Sequence, residues 1–316
     1  MATRPTAEIA IIDPGTTLGH HGWETRKKAE EDDLGFYQAL IEAKLPFEML
    51  TDQMLTPERL DRFKVVILAN ATCLSDAQIA ALEAYVARGG SIVAAYQTST
   101  RDAAGAPRNS IGLGKLLGVT QTSPARGVVK NKYVALNGTH PISAGYEGAE
   151  RIICGTYVME VEAAADTVVP FLYVPDYPDL PMEEVYPRSA AEGAAVVARE
   201  HAGGGRTVYI PWNIGAIFWE VLAPDHGQLI ANSVRWALGG RARVEASGHA
   251  VLDIGLRENH DGLAITLVNL SNPMMMKGPI REVYPVGRQV LSVALPTGRS
   301  FRDARLLVGG TPARAT

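Results

Sequence analysis

The stretch KVVILANATCLSDAQIAALEAYVARGGSIVAAY (64–96) decides the fold. Its first seven residues form a short, β-branched apolar run that reads as a buried strand. Ser75 and Gln78 then make a capping box, Ile79, Leu82 and Val86 share one face at helical spacing, and Gly89-Gly90 end the helix. SIVAAY (91–96) follows at once as a second strand. A strand, a helix and a strand joined by short connections demand parallel pairing with a right-handed crossover.

The same pattern extends in both directions. AEIAIID (7–13) is a buried strand that stops at Pro14-Gly15, and residues 30–44 place Leu34, Tyr37, Leu40 and Ile41 on one apolar helical face before Pro46. Between them, PGTTLGHHGWETRKKAEED (14–32) reads as a long polar loop. PFEMLTD (46–52) suits a strand, and TPERLDRF (56–63) a short helix with Thr56 as N-cap and Pro57 in its first turn. Residues 7 to about 120 are therefore expected to be a doubly wound α/β sheet, whose ligands would bind at the carboxyl ends of its strands.

Downstream the order loosens. TVVPFLYV (167–174) and AAVVARE (194–200) look like strands around a Pro-rich acidic excursion, VPDYPDLPMEEVYPR (174–188). GGGRTVYIPW (203–212) gives a glycine turn and another strand, and residues 215–238 carry helical spacing up to Gly239-Gly240. After that point HAVLDIGLRE (249–258), GLAITLVNLSN (262–272), QVLSVALP (289–296) and ARLLVGG (304–310) alternate apolar and polar residues between turn signals. Two domains are expected, an α/β domain over 1–240 and a small β-sandwich-like domain over 241–316.

Composition narrows the function classes. Lys and Arg number 30 against 34 Asp and Glu, a net charge of -4 with no long run of one sign, so nucleic acid and anionic membrane are not expected partners. No apolar run approaches the roughly 20 residues of a membrane helix. Cys73 and Cys154 fit neither a disulfide framework nor a metal-ligand spacing. The N-terminus lacks the pattern of a signal peptide, and a cytoplasmic location, no metal and no cofactor are the expectations. The first strand begins almost at once, which would also suit the C-terminal part of a longer protein.

DDLGFYQALIEAKLPFEMLTD (32–52), VVILANATCLSDAQIAALEAYVARGGSIVAAYQTSTRDAAG (65–105) and GRTVYIPWNIG (205–215) together resemble the class I glutamine-amidotransferase-like domain found in glycoside hydrolases. In β-galactosidases of the family 42 type this is the trimerisation domain. TLVNLSN (266–272) and REVYPV (281–286) resemble the small β domain that follows it in related hydrolases. The resemblance implies a mostly parallel, flavodoxin-like sheet, a homo-oligomer, and a TIM-barrel catalytic domain or subunit as neighbour. It also implies a place for a reactive thiol, at the elbow after the fourth strand. Here that place reads AAYQTST (94–100), with Tyr96 and Gln97 where the cysteine would stand. Amidotransferase chemistry is not expected. The paired carboxylates of a glycosidase would come from the barrel, which these 316 residues do not contain.

The candidate site residues lie at the expected carboxyl edge. His20, His21, Trp23 and Glu24 follow the first strand, while Gln97 and Arg101 follow the fourth. An indole face stacks on a sugar ring, and imidazole, carboxylate, amide and guanidinium groups hydrogen-bond hydroxyls. Glu24 and His21 are the candidates for acid-base work. The bland alternative is a solvated loop or one packed on a partner. For Cys73 it is a small half-buried apolar residue, for His140 before Pro141 an ordered turn, and for Trp212, Trp219 and Trp236 core or interface packing. Met274, Met275 and Met276 suit contact with another chain. The favoured reading is a non-catalytic oligomerisation or accessory module that lines a carbohydrate site. The competing one is a stand-alone carbohydrate-active hydrolase or sugar-binding protein.

Overall fold

The computed structural model describes residues 3–21, 23–175, 189–260, 262–271, 282–295, 298 and 300–313, with backbone alone at 23–25, 28 and 311–312. The acidic excursion from residue 176 and Met274 to Met276 lie outside the described residues.

A nine-stranded sheet organises the chain. Its strands are β1 (Ile9–Asp13), β2 (Phe47–Thr51), β3 (Val65–Leu68), β4 (Ser91–Ala95), β5 (Tyr133–Leu136), β6 (Arg151–Ile153), β7 (Val168–Tyr173), β8 (Ala194–Glu200) and β9 (Arg206–Ile210). They lie in the order β2-β1-β3-β4-β9-β8-β7-β5-β6. The first five are parallel to their neighbours, and β8, β7, β5 and β6 extend the sheet antiparallel. The sheet is therefore mixed, where the sequence reading expected one that was mostly parallel. Among the described residues no crossover helix joins β5 through β9, so nothing there forces those strands into parallel alignment.

Five helices are labelled: α1 (Gly15–Gly19), α2 (Trp23–Glu42), α3 (Asp76–Ala87), α4 (Ile214–Val221) and α5 (Pro224–Leu238). Alternate residues of the strands feed two cores. Ile9, Ile11, Val65 and Ile67 pack with Phe36 and Leu40 of α2 and with Leu229 and Ile230 of α5. Ala10, Ile12, Val66 and Leu68 face the other way, onto Ile79, Leu82 and Val86 of α3. Burial on both faces is why these strands are continuous apolar runs. The expected capping box of α3 is present, with the Ser75 hydroxyl accepting from Gln78 N and the Gln78 amide oxygen accepting from Ser75 N.

The stretch read as a long polar loop is mostly helical. Residues 23–32 extend α2 by more than two turns beyond its apolar stripe, with an i,i+4 ion pair between Arg26 and Glu30 at 3.0 Å. Charged residues from Arg26 to Asp32 carry most of this half, so it leaves no hydrophobic periodicity to read. The single helix expected over 215–238 is two, because Leu222 adopts a left-handed conformation (φ 54) and Pro224 opens α5.

Beyond Gly240 the described residues hold only strands and irregular segments. β10 (Val244–Ser247) pairs antiparallel with β13 (Val290–Val293), and β11 (Leu252–Glu258) with β12 (Leu263–Asn269). Leu252, Ile254 and Leu256 alternate inward and pack with Val244. The outer side of β11 takes Arg4–Pro5 as a third strand.

Candidate functional site

The carboxyl ends of β1, β3, β4 and β9 gather the groups worth weighing. β4 ends in a sharp elbow, where Tyr96 has φ 48, a strained value for a bulky residue. Neighbouring chain over-determines it: Tyr96 N donates to Ile210 O at 2.8 Å and its carbonyl accepts from Tyr209 Oη at 2.5 Å. Burial, followed by Asp32 and Tyr157, pushes the Tyr96 phenol up. Next along the chain, half-buried Gln97 donates its backbone N–H to Asn70 Oδ1 at 3.2 Å.

Beneath the elbow lies a carboxyl pair that the sequence reading missed. Asp32 is 3% exposed, and its Oδ2 accepts from Asn70 Nδ2 at 2.9 Å while Oδ1 accepts from Ala216 N at 3.0 Å. It thereby ties α2 to β3 and caps the first turn of α4. Burial pushes its pKa up to about 7 against those two hydrogen bonds. Asp33 is buried too, its Oδ1 has no partner, and burial first, then Asp32, Asp13 and Glu30, holds it well above the usual carboxylate range. One signal was available: Asp32 stands at i to Phe36 at i+4 and Leu40 at i+8, on the apolar stripe itself.

Of the sequence candidates, His20, His21 and Arg101 come together. His20 caps the C-terminus of α1 and its Nε2 lies 3.1 Å from Ala103 O. A Cβ at Gly105 would sit 2.9 Å from His20 Nδ1, so this loop seats on the imidazole because residue 105 is glycine, with φ +80. Arg101 Nη1 donates to Gly105 O at 2.8 Å in the same loop. His21 is exposed, and partial burial, followed by Arg101 and His20, lowers its pKa. Trp23 and Glu24 occupy the first turn of α2, beside this rim in sequence, but their side chains lie outside the description. Gln97 sits apart, against Asn70.

The remaining candidates take structural places. Cys73 is 2% exposed, its N–H donates to Thr17 Oγ1 at 3.0 Å, and burial pushes the thiol up, away from the reactive thiolate. His140 caps the turn Pro141–Ser143 through Nδ1, and Trp212 is fully buried. Among the described residues no group of three His, Cys, Asp or Glu could hold a metal. The rim offers imidazole and guanidinium groups suited to hydrogen-bonding hydroxyls, while the buried carboxyls serve the packing of α2 and α4.

With this geometry in view, the sequence itself places the chain. Residues 19–225 match the β-galactosidase trimerisation domain family. The chain belongs to that family. No curated protein sequence matches it. Among solved structures, α-L-fucosidase isoenzyme 2 from Paenibacillus thiaminolyticus aligns over 99% of this chain and 46% of its own, with TM-score 0.74 and 16% identity. The β-galactosidase from Bacillus circulans sp. alkalophilus aligns over 85% and 36%, with TM-score 0.63 and 14% identity. A β-galactosidase from the haloarchaeon Halorubrum lacusprofundi gives 82% and 35%, TM-score 0.51 and 16%. This trimerisation-type chain spans less than half the length of each. At such identities the likeness is one of fold, and the chain is a glycoside-hydrolase-related module.

Proposed function

We propose that this trimerisation-type module is non-catalytic, that it self-associates, and that it lends its carboxyl-edge rim to a carbohydrate site completed by a TIM-barrel domain or subunit. The observation that carries the reading is Tyr96 at the strained elbow. Where the resemblance implies a thiol, a left-handed turn holds a phenol with a raised pKa, and the sulfur of Cys73 on the loop after the preceding strand is buried. Such a site keeps shape without a nucleophile and its base. The amidotransferase-like ancestry, the division near residue 240 and a cytoplasmic location belong to the same proposal.

The test is direct. Light scattering on the purified chain should give a multimer, three-fold if the role in the family's name carries over, and the chain alone should not hydrolyse aryl galactosides or fucosides. Adding a catalytic barrel partner should change kcat/KM in a manner that depends on His21 and Arg101. The convergence of His20, His21 and Arg101 favours the second reading, a sugar site complete within this chain. Turnover by the isolated chain that vanishes in Glu24→Gln or His21→Ala would establish that reading and end the first.

A further inference from the structure

A cavity of about 510 Å³ lies away from the elbow, at the amino end of the sheet. It opens where the α2–β2 connection (43–45) and the C-terminus of α5 meet the β10–β13 pair. That volume falls within the range of small-molecule sites, and junctions between structural units are where such sites concentrate.

Its charge is one-sided. Lys44, Arg235 and Arg241 line it against a single carboxylate, Glu245, in a chain whose net charge is negative. The bland account is that these cations neutralise the carbonyls at two helix C-termini. Hydrogen bonding uses up only part of them. The Lys44 ammonium donates to Gly248 O, from a backbone held left-handed at φ 55. Arg235 Nη2 reaches Ala43 O only at a long 3.4 Å, and among the described residues no other hydrogen bond or ion pair of its guanidinium is seen, with Glu245 close enough for its charge to be felt. For Arg241 no hydrogen bond or ion pair is seen among the described residues. Ser292 stands directly across from Glu245 in the strand pair, and Ser247 lies two residues further along, so hydroxyl donors and acceptors complete the lining.

We propose that this cavity binds a small oxyanion, a phosphate or carboxylate group, borne on a hydroxylated molecule. Two guanidinium groups with unspent planar donors suit the paired oxygens of such an anion. The serines suit its hydroxyls, and Glu245 sets its limit by competing for Arg235. The site is independent of the elbow and of the oligomerisation proposed above.

Calorimetric titration and thermal shift on the full chain test it, with inorganic phosphate, glucose 6-phosphate, galacturonate and neutral galactose as probes. The anions should bind saturably and raise Tm, and binding should weaken as salt rises. If the sugar-borne anions bind more tightly than inorganic phosphate, the source is a charged sugar; if phosphate binds as well, it is the free anion. Arg235→Gln with Arg241→Gln should weaken binding roughly tenfold or more, and Glu245→Gln should tighten it several-fold, a gain no loss of folding can mimic. The proposal fails if no anion binds saturably, if the double variant binds unchanged, or if galactose binds as tightly as the anions.

Discussion

Asp33 is a carboxyl group placed where a carboxylate is costly. One oxygen is buried without a partner, and Asp32, Asp13 and Glu30 surround it with like charge. Its folded pKa, like that of Asp32 at about 7, lies above the unfolded value of roughly 4. Stability from both groups is therefore fully present below pH ~4 and lost as pH rises through the folded values. Asp33→Asn keeps the shape and removes the charge. It should be close to neutral at pH 3.5, below the unfolded value, and stabilising by about 1 kcal/mol or more at pH 8, as read from urea unfolding at both. His226 sets an opposite limb. It is 1% exposed, its Nε2 meets Ile153 O at 2.8 Å, its Nδ1 has no partner, and burial lowers its pKa. Stability present above the ordinary value of roughly 6.5 is lost as pH falls through the depressed one. His226→Gln should flatten the fall in Tm between neutral pH and the acid limb.

At the scale of elements, α2 and α4 touch backbone to backbone. A Cβ at Gly35 would lie 1.9 Å from Gly215 O, and one at Gly215 would lie 2.3 Å from Asp32 O. Gly35→Ala must force the helices apart, and a loss of about 3 kcal/mol or more is expected in thermal unfolding. Ser75→Ala, which removes only a cap, should cost about 1 kcal/mol by the same measurement. These elements also mark how far the sequence could be read. β1, β3, β4 and α3 announce themselves because both sheet faces and one helix face are buried, so apolar pattern and punctuation agree. β5 and β6 were not legible: they are short, half-buried and separated by glycine- and proline-rich turns, so their pairing is set by tertiary context. The first turns of α2 were missed because exposed charged residues hold them. At the rim, His20, His21 and Arg101 could be placed on one edge from strand order alone, but the seating of His20 on Gly105 depends on loop geometry that no periodicity encodes.

For the molecule as a whole, the N-terminal segment is bound to the small β unit. Arg4 donates to Glu258 at 2.8 Å, Arg243 pairs with the other oxygen of Glu258 at 2.6 Å, and Arg257 Nη2 donates to Thr3 O at 2.8 Å. Glu258 holds a depressed pKa chiefly through its hydrogen bond from Arg243, with Arg4 adding to it. Removing residues 1–6 should leave the nine-stranded sheet folded while β11 and β12 lose hydrogen-exchange protection. Equal protection in the truncated and full chains would show that the added strand contributes nothing to the small β unit.

That pairing fixes an address as well as a contact. Whatever is joined covalently upstream of Thr3, a catalytic body or an engineered tag, would emerge beside β11, at the end of the sheet opposite to the elbow at Tyr96. A partner hung there would meet the small β unit before the rim, and a ring of copies is an assembly in which it could also meet the rim of a neighbour.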